Sequence, residues 1–133
     1  MHEIEILLAD DDERYLASLS EFIGAEDDLR VVSAVGGGAE AVEAYIAEKP
    51  DVVVVDAVMP HIDGIEAMRR ILERNPAAKV VVLTAHVSPD LERRALSSGA
   101  AAFVSKQYAA HDLINVVRRS AEGGGDIGHA PTH

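Results

Sequence analysis

The stretch VVVVDAVMPHIDG, residues 52–64, decides the fold, because four consecutive valines lead directly into an aspartate. Four further short runs rich in Val, Leu, Ile and Ala occur at residues 4–9, 30–35, 79–84 and 101–105. These runs are mostly continuous rather than alternating with polar residues, so both faces of each predicted strand have to be covered. The pattern favours a parallel sheet with a layer of helices on either side.

Longer amphipathic stretches separate the five runs and predict five helices. Their apolar residues recur at helical spacing: Leu16, Leu19 and Ile23; Val42, Tyr45 and Ile46; Ile65, Met68 and Leu72; Leu91, Ala95 and Leu96; Leu113, Val116 and Val117. The fourth stretch, residues 88–98, opens with Ser-Pro, which suits an N-cap and a first helical position. Its apolar stripe is thin, so we expect it to be the least anchored helix.

Composition narrows the class of protein. A chain of 133 residues with 48% hydrophobic content fits one compact domain, which we place at residues 1–122, followed by a flexible tail or linker at residues 123–133. The formal net charge of −11 argues against direct nucleic-acid binding, and the absence of cysteine removes thiolate chemistry and disulfides. No apolar run approaches the ~20 residues of a membrane span, and the first six residues contain Glu3 and Glu5 instead of a basic signal start. We expect a cytoplasmic protein with no membrane partner.

Chemistry-bearing residues stand at the ends of four of the predicted strands. Ligands of open parallel sheets bind at the carboxyl ends of the strands, where this sequence places Asp10, Asp11 and Asp12, Asp56, Thr84, and Ser105 with Lys106. Carboxylates that share this edge repel one another, by roughly 4 kcal/mol per pair at ~4 Å and an effective dielectric of ~20. A hard divalent cation, Mg²⁺ above all, would offset that repulsion at Asp11 and Asp56.

Together these residue types indicate phosphoryl transfer to a carboxylate. Asp56 would be the carboxylate nucleophile, Lys106 a fixed positive charge and Thr84 a hydroxyl donor, which together form the predicted catalytic set. We therefore expect Asp56 to become an aspartyl phosphate. Each residue taken singly has an ordinary explanation, such as a solvated helix N-terminus or a surface lysine. The prediction depends on their coincidence in one sheet.

Four motifs resemble the receiver domain of two-component response regulators, over about residues 3–121. They are LLADD at 7–11, VVVDAVMPHIDG at 53–64, VLTA at 82–85 and FVSK at 103–106, in the order found in that family. The resemblance implies a CheY-like, flavodoxin-like three-layer sandwich of five helices around a five-stranded parallel sheet of order 2-1-3-4-5. It also implies that a sensor histidine kinase donates the phosphoryl group.

The resemblance assigns a metal site to the phosphorylation loop and the acidic pair. It implies that Mg²⁺ is ligated by Asp11, Asp56 and the backbone carbonyl of Val58, with Asp10 acting through water. It further implies a switch in which Thr84 and Phe103 change the face built from the fourth helix, the fifth strand and the fifth helix.

Two positions are expected to set the lifetime of the phosphoryl group. Val58 lies two residues beyond Asp56, and His86 lies two residues beyond Thr84. Their side chains would flank the path of an attacking water molecule.

The stretches MPHIDGIEA at 59–67 and SGA at 98–100 look most like receivers of the LuxR/NarL type, which precede a helix-turn-helix DNA-binding domain. This implies a role in transcription regulation through an output domain beyond this chain, and it allows a homodimer that forms on phosphorylation. A stand-alone receiver is the alternative. The sequence departs from many receivers at Gln107, which follows Lys106 where those receivers have Pro. The resemblance therefore does not predict the geometry of the turn after Lys106.

Two other classes of function compete with the switch. A hydrolase of the haloacid dehalogenase type usually carries an aspartate two positions beyond its nucleophile, where this chain has Val58. A phosphate-independent interaction module typically lacks one of the acids or the lysine, and this chain keeps them. We expect a signalling switch and no turnover of a diffusible substrate.

Overall fold

The computed structural model describes residues 3–122. Its elements are β1 (Ile4–Ala9), α1 (Glu13–Gly24), β2 (Leu29–Val35), α2 (Gly38–Glu48), β3 (Val52–Asp56), α3 (Gly64–Arg74), β4 (Val80–Thr84), α4 (Pro89–Ser97), β5 (Ala102–Ser105) and α5 (Ala109–Ala121), with a short 3-10 helix at Lys106–Tyr108 before α5. The expected alternation of strands and helices is confirmed. The tail or linker predicted at residues 123–133 lies outside the described residues.

All five strands are parallel and form one sheet of order β2-β1-β3-β4-β5. This is the expected flavodoxin-like topology. Because β1 lies between β2 and β3, the strand order reverses at β1, and the crevice beyond the carboxyl ends of β1 and β3 is where such a fold binds ligands.

The sheet divides the hydrophobic core into two layers. Alternate residues of each strand, such as Leu8 and Val54, pack with α1 and α5, while Leu7 and Val53 pack with α2, α3 and α4. Both faces of β3 and β4 are therefore covered, and every residue of these two strands is buried. This explains why their sequences are continuous apolar runs.

The burial of β2 and of α2 differs from what their apolar residues predict. In β2 only Leu29 is fully buried, because an edge strand has a neighbour on one side alone. In α2 the buried residues include Ala41 and Tyr45, whereas Ile46, which the helical spacing grouped with Tyr45, is 39% exposed. The inward stripe of α2 is therefore centred on a small residue, Ala41, and not on a large apolar side chain.

Helix α4 is the least anchored helix, as expected. Ser88 caps it by accepting a hydrogen bond from the Leu91 backbone N–H at 3.1 Å, and Pro89 is its first residue. Only Ala95 among its residues is buried, while Leu91 and Leu96 are partly buried.

Arg118 ties α5 to the connection between α1 and β2. Its guanidinium donates to both carboxylate oxygens of Asp28, at 2.8 and 2.9 Å, and to Glu26 at 2.8 Å. The hydrogen bond to Asp28 is the largest of the effects that raise the pKa of Arg118, and the same contact lowers the pKa of Asp28. None of the helices within residues 3–122 combines the length and the apolar content that a membrane span requires.

Candidate functional site

The acidic residues after β1 are fixed by two successive hydrogen-bonded turns. The Asp12 backbone N–H donates to Asp10 Oδ1 at 2.9 Å, and Asp12 Oδ1 in turn accepts from the backbone N–H groups of Arg14 and Tyr15 at 3.1 Å. Asp12 is thus the N-cap of α1. As a result Asp10 is buried, with 2% of its surface exposed, while Asp11 is open to solvent.

Asp56 ends β3 beside Asp10 and is 6% exposed. Its Oδ1 accepts a hydrogen bond from the Val58 backbone N–H at 3.2 Å. Burial raises the pKa of Asp56, and the charge of Asp10 adds to this effect, while the Val58 N–H and Lys106 oppose it. The net direction is upward, as expected for a carboxylate that shares a desolvated edge with a second one.

The loop between Asp56 and α3 returns tightly against the strand that it leaves. The Gly64 backbone N–H donates to the Ala57 carbonyl at 3.0 Å, and Asp63 caps α3 by accepting from the Glu66 backbone N–H at 2.9 Å. A Cβ at Gly64 would lie 2.0 Å from the Asp56 carbonyl oxygen. This close approach explains the glycine at this position.

Lys106 lies between the two buried carboxylates. Its Nζ is 2.7 Å from Asp10 Oδ2 and 3.4 Å from Asp56 Oδ2, and 16% of its side chain is exposed. Burial lowers the pKa of Lys106, but Asp10 and Asp56 together raise it by more, so the ammonium stays charged. The sequence pattern predicted Lys106 as a fixed positive charge for the phosphoryl group. In the structure its ammonium also neutralises part of the carboxylate charge that a metal was expected to offset.

Thr84 is buried at the end of β4, and its Oγ1 accepts the His86 backbone N–H at 3.1 Å. Among the described residues no hydrogen bond joins Thr84 to Asp56. His86 is exposed, and Val58 is 61% exposed. Phe103 is partly buried on β5 and lines a groove of about 280 Å³ together with exposed side chains of the loop before α4 and of the turn before α5.

The three aspartates are close enough to share a metal ion. One carboxylate oxygen from each of Asp10, Asp11 and Asp56 lies within 4.8 Å of the other two. Asp10 Oδ2 is buried and is paired with the Lys106 ammonium at 2.7 Å. An all-oxygen donor set of three carboxylates fits a hard cation such as Mg²⁺.

Two contacts at the site carry no signal in the sequence pattern. The ring of Tyr15 lies against Lys106, with the Nζ 4.3 Å from the ring centroid. The turn after Lys106 is closed by the Gln107 backbone N–H, which donates to Ser105 Oγ at 3.2 Å. Pro has no N–H and could not make this bond, so the residue that departs from many receivers supports a turn of its own.

Comparisons with known proteins identify the family and the fold. The family model described as the response regulator receiver domain matches residues 6–118. The transcriptional regulatory protein DegU of Brevibacillus brevis is 32% identical over 132 residues, which are 99% of this chain and 56% of DegU. The chemotaxis protein CheY of Listeria monocytogenes is 32% identical over 116 residues, 87% of this chain and 98% of CheY.

The receiver domain of the response regulator NarL from Mycobacterium tuberculosis superposes with a TM-score of 0.88 at 25% identity, over 92% of this chain and 99% of that one. The chain spans little more than half the length of curated relatives such as DegU. The resemblance inferred from the motifs is confirmed, including its LuxR/NarL character. The chain belongs to the response regulator receiver domains, the signalling domains of two-component systems.

Proposed function

We propose that this receiver is a phosphorylation-dependent switch in which Asp56 accepts a phosphoryl group from a sensor histidine kinase. The observation that carries the proposal is the convergence of Asp10, Asp11, Asp56 and Lys106 at one edge of the sheet, with carboxylate oxygens within 4.8 Å and the ammonium 2.7 and 3.4 Å from two of them. Three carboxylates and one ammonium at a ligand-binding edge are the groups that phosphoryl transfer to a carboxylate requires.

The aspartates and a backbone carbonyl would hold the metal. Asp11, Asp56 and the Val58 carbonyl are the proposed direct ligands of Mg²⁺, with Asp10 binding through water. When bound, the ion would supply positive charge that offsets carboxylate repulsion and stabilises the phosphoryl oxygens.

Asp56 is the proposed nucleophile, and the neighbouring side chains donate hydrogen bonds to the phosphoryl oxygens. A carboxylate oxygen of Asp56 forms the new bond to phosphorus while the bond from phosphorus to the kinase imidazole nitrogen breaks. The Lys106 ammonium, already beside Asp56, donates to a phosphoryl oxygen. The Thr84 hydroxyl accepts the His86 N–H in the structure and so keeps its own proton free to donate to a second phosphoryl oxygen.

Val58 and His86 are proposed to set the lifetime of the phosphoryl group. Both side chains are exposed and follow site residues by two positions. A polar group at position 58 could order an attacking water, and bulk at position 86 could shield the phosphorus. Dephosphorylation half-lives of Val58→Asn and His86→Ala that both equal the wild-type value would contradict this role.

Output is proposed to run through α4, β5 and α5. Thr84, drawn toward a phosphoryl oxygen, would open space into which Phe103 turns, and the weak anchoring of α4 allows its surface to shift without unfolding the sheet. NMR spectra with and without beryllofluoride should change throughout residues 84–108. Changes confined to residues 10–12 and 56–63 would contradict the switch.

The whole protein is proposed to regulate transcription. DegU is a transcriptional regulatory protein that is longer than this chain, and we infer a DNA-binding output domain beyond residue 133. The receiver itself, with a net charge of −11, would not bind nucleic acid. We propose that it acts in the cytoplasm, off the membrane, that phosphorylation favours a homodimer, and that it turns over no diffusible substrate.

Intact mass spectrometry after incubation with acetyl phosphate tests the core of the proposal. The wild type should gain one phosphoryl group in the presence of Mg²⁺ and little after chelation. Asp56→Asn should gain none, whereas Asp27→Asn, which changes an exposed aspartate of the α1–β2 connection, should behave as the wild type. Equal labelling of Asp56→Asn and the wild type would overturn the assignment.

A further inference from the structure

Three elements meet at the Lys106 ammonium, and one of them has no part in the proposed chemistry. Asp10 follows β1 and Asp56 ends β3, while Tyr15 belongs to the first turn of α1. The Nζ of Lys106 is 4.3 Å from the centroid of the Tyr15 ring, within the ~6 Å over which an aromatic face attracts a cation.

The position of the Tyr15 ring is set by the same turn that sets the acidic residues. Asp12 caps α1 by accepting the Tyr15 backbone N–H at 3.1 Å, and the Asp12 backbone N–H bonds to Asp10 at 2.9 Å. Tyr15 is partly buried and packs against the core layer of α1 and α5. The ring is therefore held in register with the carboxylates.

An aromatic face constrains an ammonium differently from a carboxylate. Lysine carries its charge on a flexible four-carbon chain, so an unconfined ammonium spends much of its time in solvent. The ring attracts the charge without accepting a hydrogen bond, which leaves the three N–H donors of Lys106 for oxygen atoms. Lys106 can thus change oxygen partners when a phosphoryl group arrives and still remain against Tyr15.

We propose that Tyr15 is a positioning residue whose ring face keeps the Lys106 ammonium beside Asp56 and so supports its phosphorylation. This role rests on the proposed function. It predicts that the aromatic face of Tyr15 is required, while the hydroxyl is not.

The first experiment reads the contact without any phosphorylation. The chain has three lysines, Lys49, Lys79 and Lys106, so selective ¹³C labelling of lysine gives few side-chain signals. The ε-methylene of Lys106 should show a ring-current shift in the wild type and in Tyr15→Phe. The shift should be lost in Tyr15→Leu.

The second experiment measures phosphorylation of Asp56 by acetyl phosphate with Mg²⁺. Tyr15→Leu should slow it by about threefold to tenfold, which corresponds to the loss of one partly exposed aromatic contact to a cation, and Tyr15→Phe should restore the rate. Phe22→Leu removes a second aromatic of α1, at an exposed position, and serves as the matched control with an unchanged rate.

A double-mutant cycle separates positioning from general damage to α1. In a Lys106→Met background, Tyr15→Leu should cause no further loss, since the group that it positions is gone. An equal loss in both backgrounds, or a Tyr15→Leu protein with wild-type rate or wild-type Lys106 shift, would overturn the role of Tyr15. A wild-type chain that gains no phosphoryl group would instead overturn the proposed function, and the role of Tyr15 with it.

Discussion

A single methyl group at Gly64 should displace Asp56. A Cβ at this position would lie 2.0 Å from the carbonyl oxygen of Asp56 and 2.7 Å from its carbonyl carbon, whereas ordinary contact begins at 3.4 Å, so the shortfall is about 1.4 Å. Both atoms belong to the backbone, so no side chain can turn aside. Either the end of β3 or the start of α3 has to move by an ångström or more, and Asp56 is at the point of contact.

The cost of Gly64→Ala can be stated for stability and for chemistry. Overpacking of this kind typically destabilises by about 1–3 kcal/mol, and a misplacement of ~1 Å at a reacting group can slow a reaction about a hundredfold. Urea unfolding gives the first quantity, and acetyl phosphate labelling of the folded protein gives the second. Gly24→Ala is the matched control, because no atom lies within 4 Å of the added Cβ. A Gly64→Ala protein with wild-type stability and labelling rate would refute the argument.

Three further predictions concern residues around and behind the site. Ser120 is buried with a hydroxyl that has no hydrogen-bond partner among the described residues, so Ser120→Ala should raise the free energy of unfolding in urea by about 1 kcal/mol; a loss would contradict this. The hydrogen bond from Arg118 lowers the pKa of Asp28 in the folded protein below the ordinary 3.8. The stabilisation that this contact gives the fold is therefore present above pH 3.8, and it is lost as the pH falls through the lowered pKa of Asp28. The stability difference between the wild type and Arg118→Gln should therefore shrink below about pH 4, and a difference that stays constant from neutral pH to pH 3 would be the wrong outcome. Asp11→Asn should raise the melting temperature without metal, by removing one like charge, and should abolish the rise that Mg²⁺ gives the wild type through mass action; an unchanged Mg²⁺ response would exclude Asp11 as a ligand.

The buried strands could be predicted from sequence because a strand that is covered on both faces is a continuous apolar run. β3 and β4 are covered on both faces, so every position is apolar until the residue that opens onto the site, Asp56 or Thr84. β2 was harder to judge, since its half-exposure follows from its place at the edge of the sheet. Sheet order is a property of the whole chain, and here it came from the resemblance to a family.

At the site, too, some features could be predicted from the sequence and others could not. That Asp10, Asp56 and Lys106 approach one another follows from parallel strands ending at one edge. The contact between Tyr15 and Lys106 joins residues far apart in the chain, and an aromatic residue in the first turn of a helix carries no local signal of it. Thr84 shows a further limit, because a strand-end hydroxyl can be placed from sequence while its present partner, the His86 N–H, cannot.

The division of the core by the sheet bears on how such a sequence can change over time. Val53 and Val54 are neighbours in the chain, yet one packs with α2, α3 and α4 and the other with α1 and α5. A substitution in one layer meets its compensating partners within that layer alone. The surface presented by α1 and the surface presented by α4 can therefore diverge separately in related chains, each with its own interior, while the strand ends between them keep the same carboxylates.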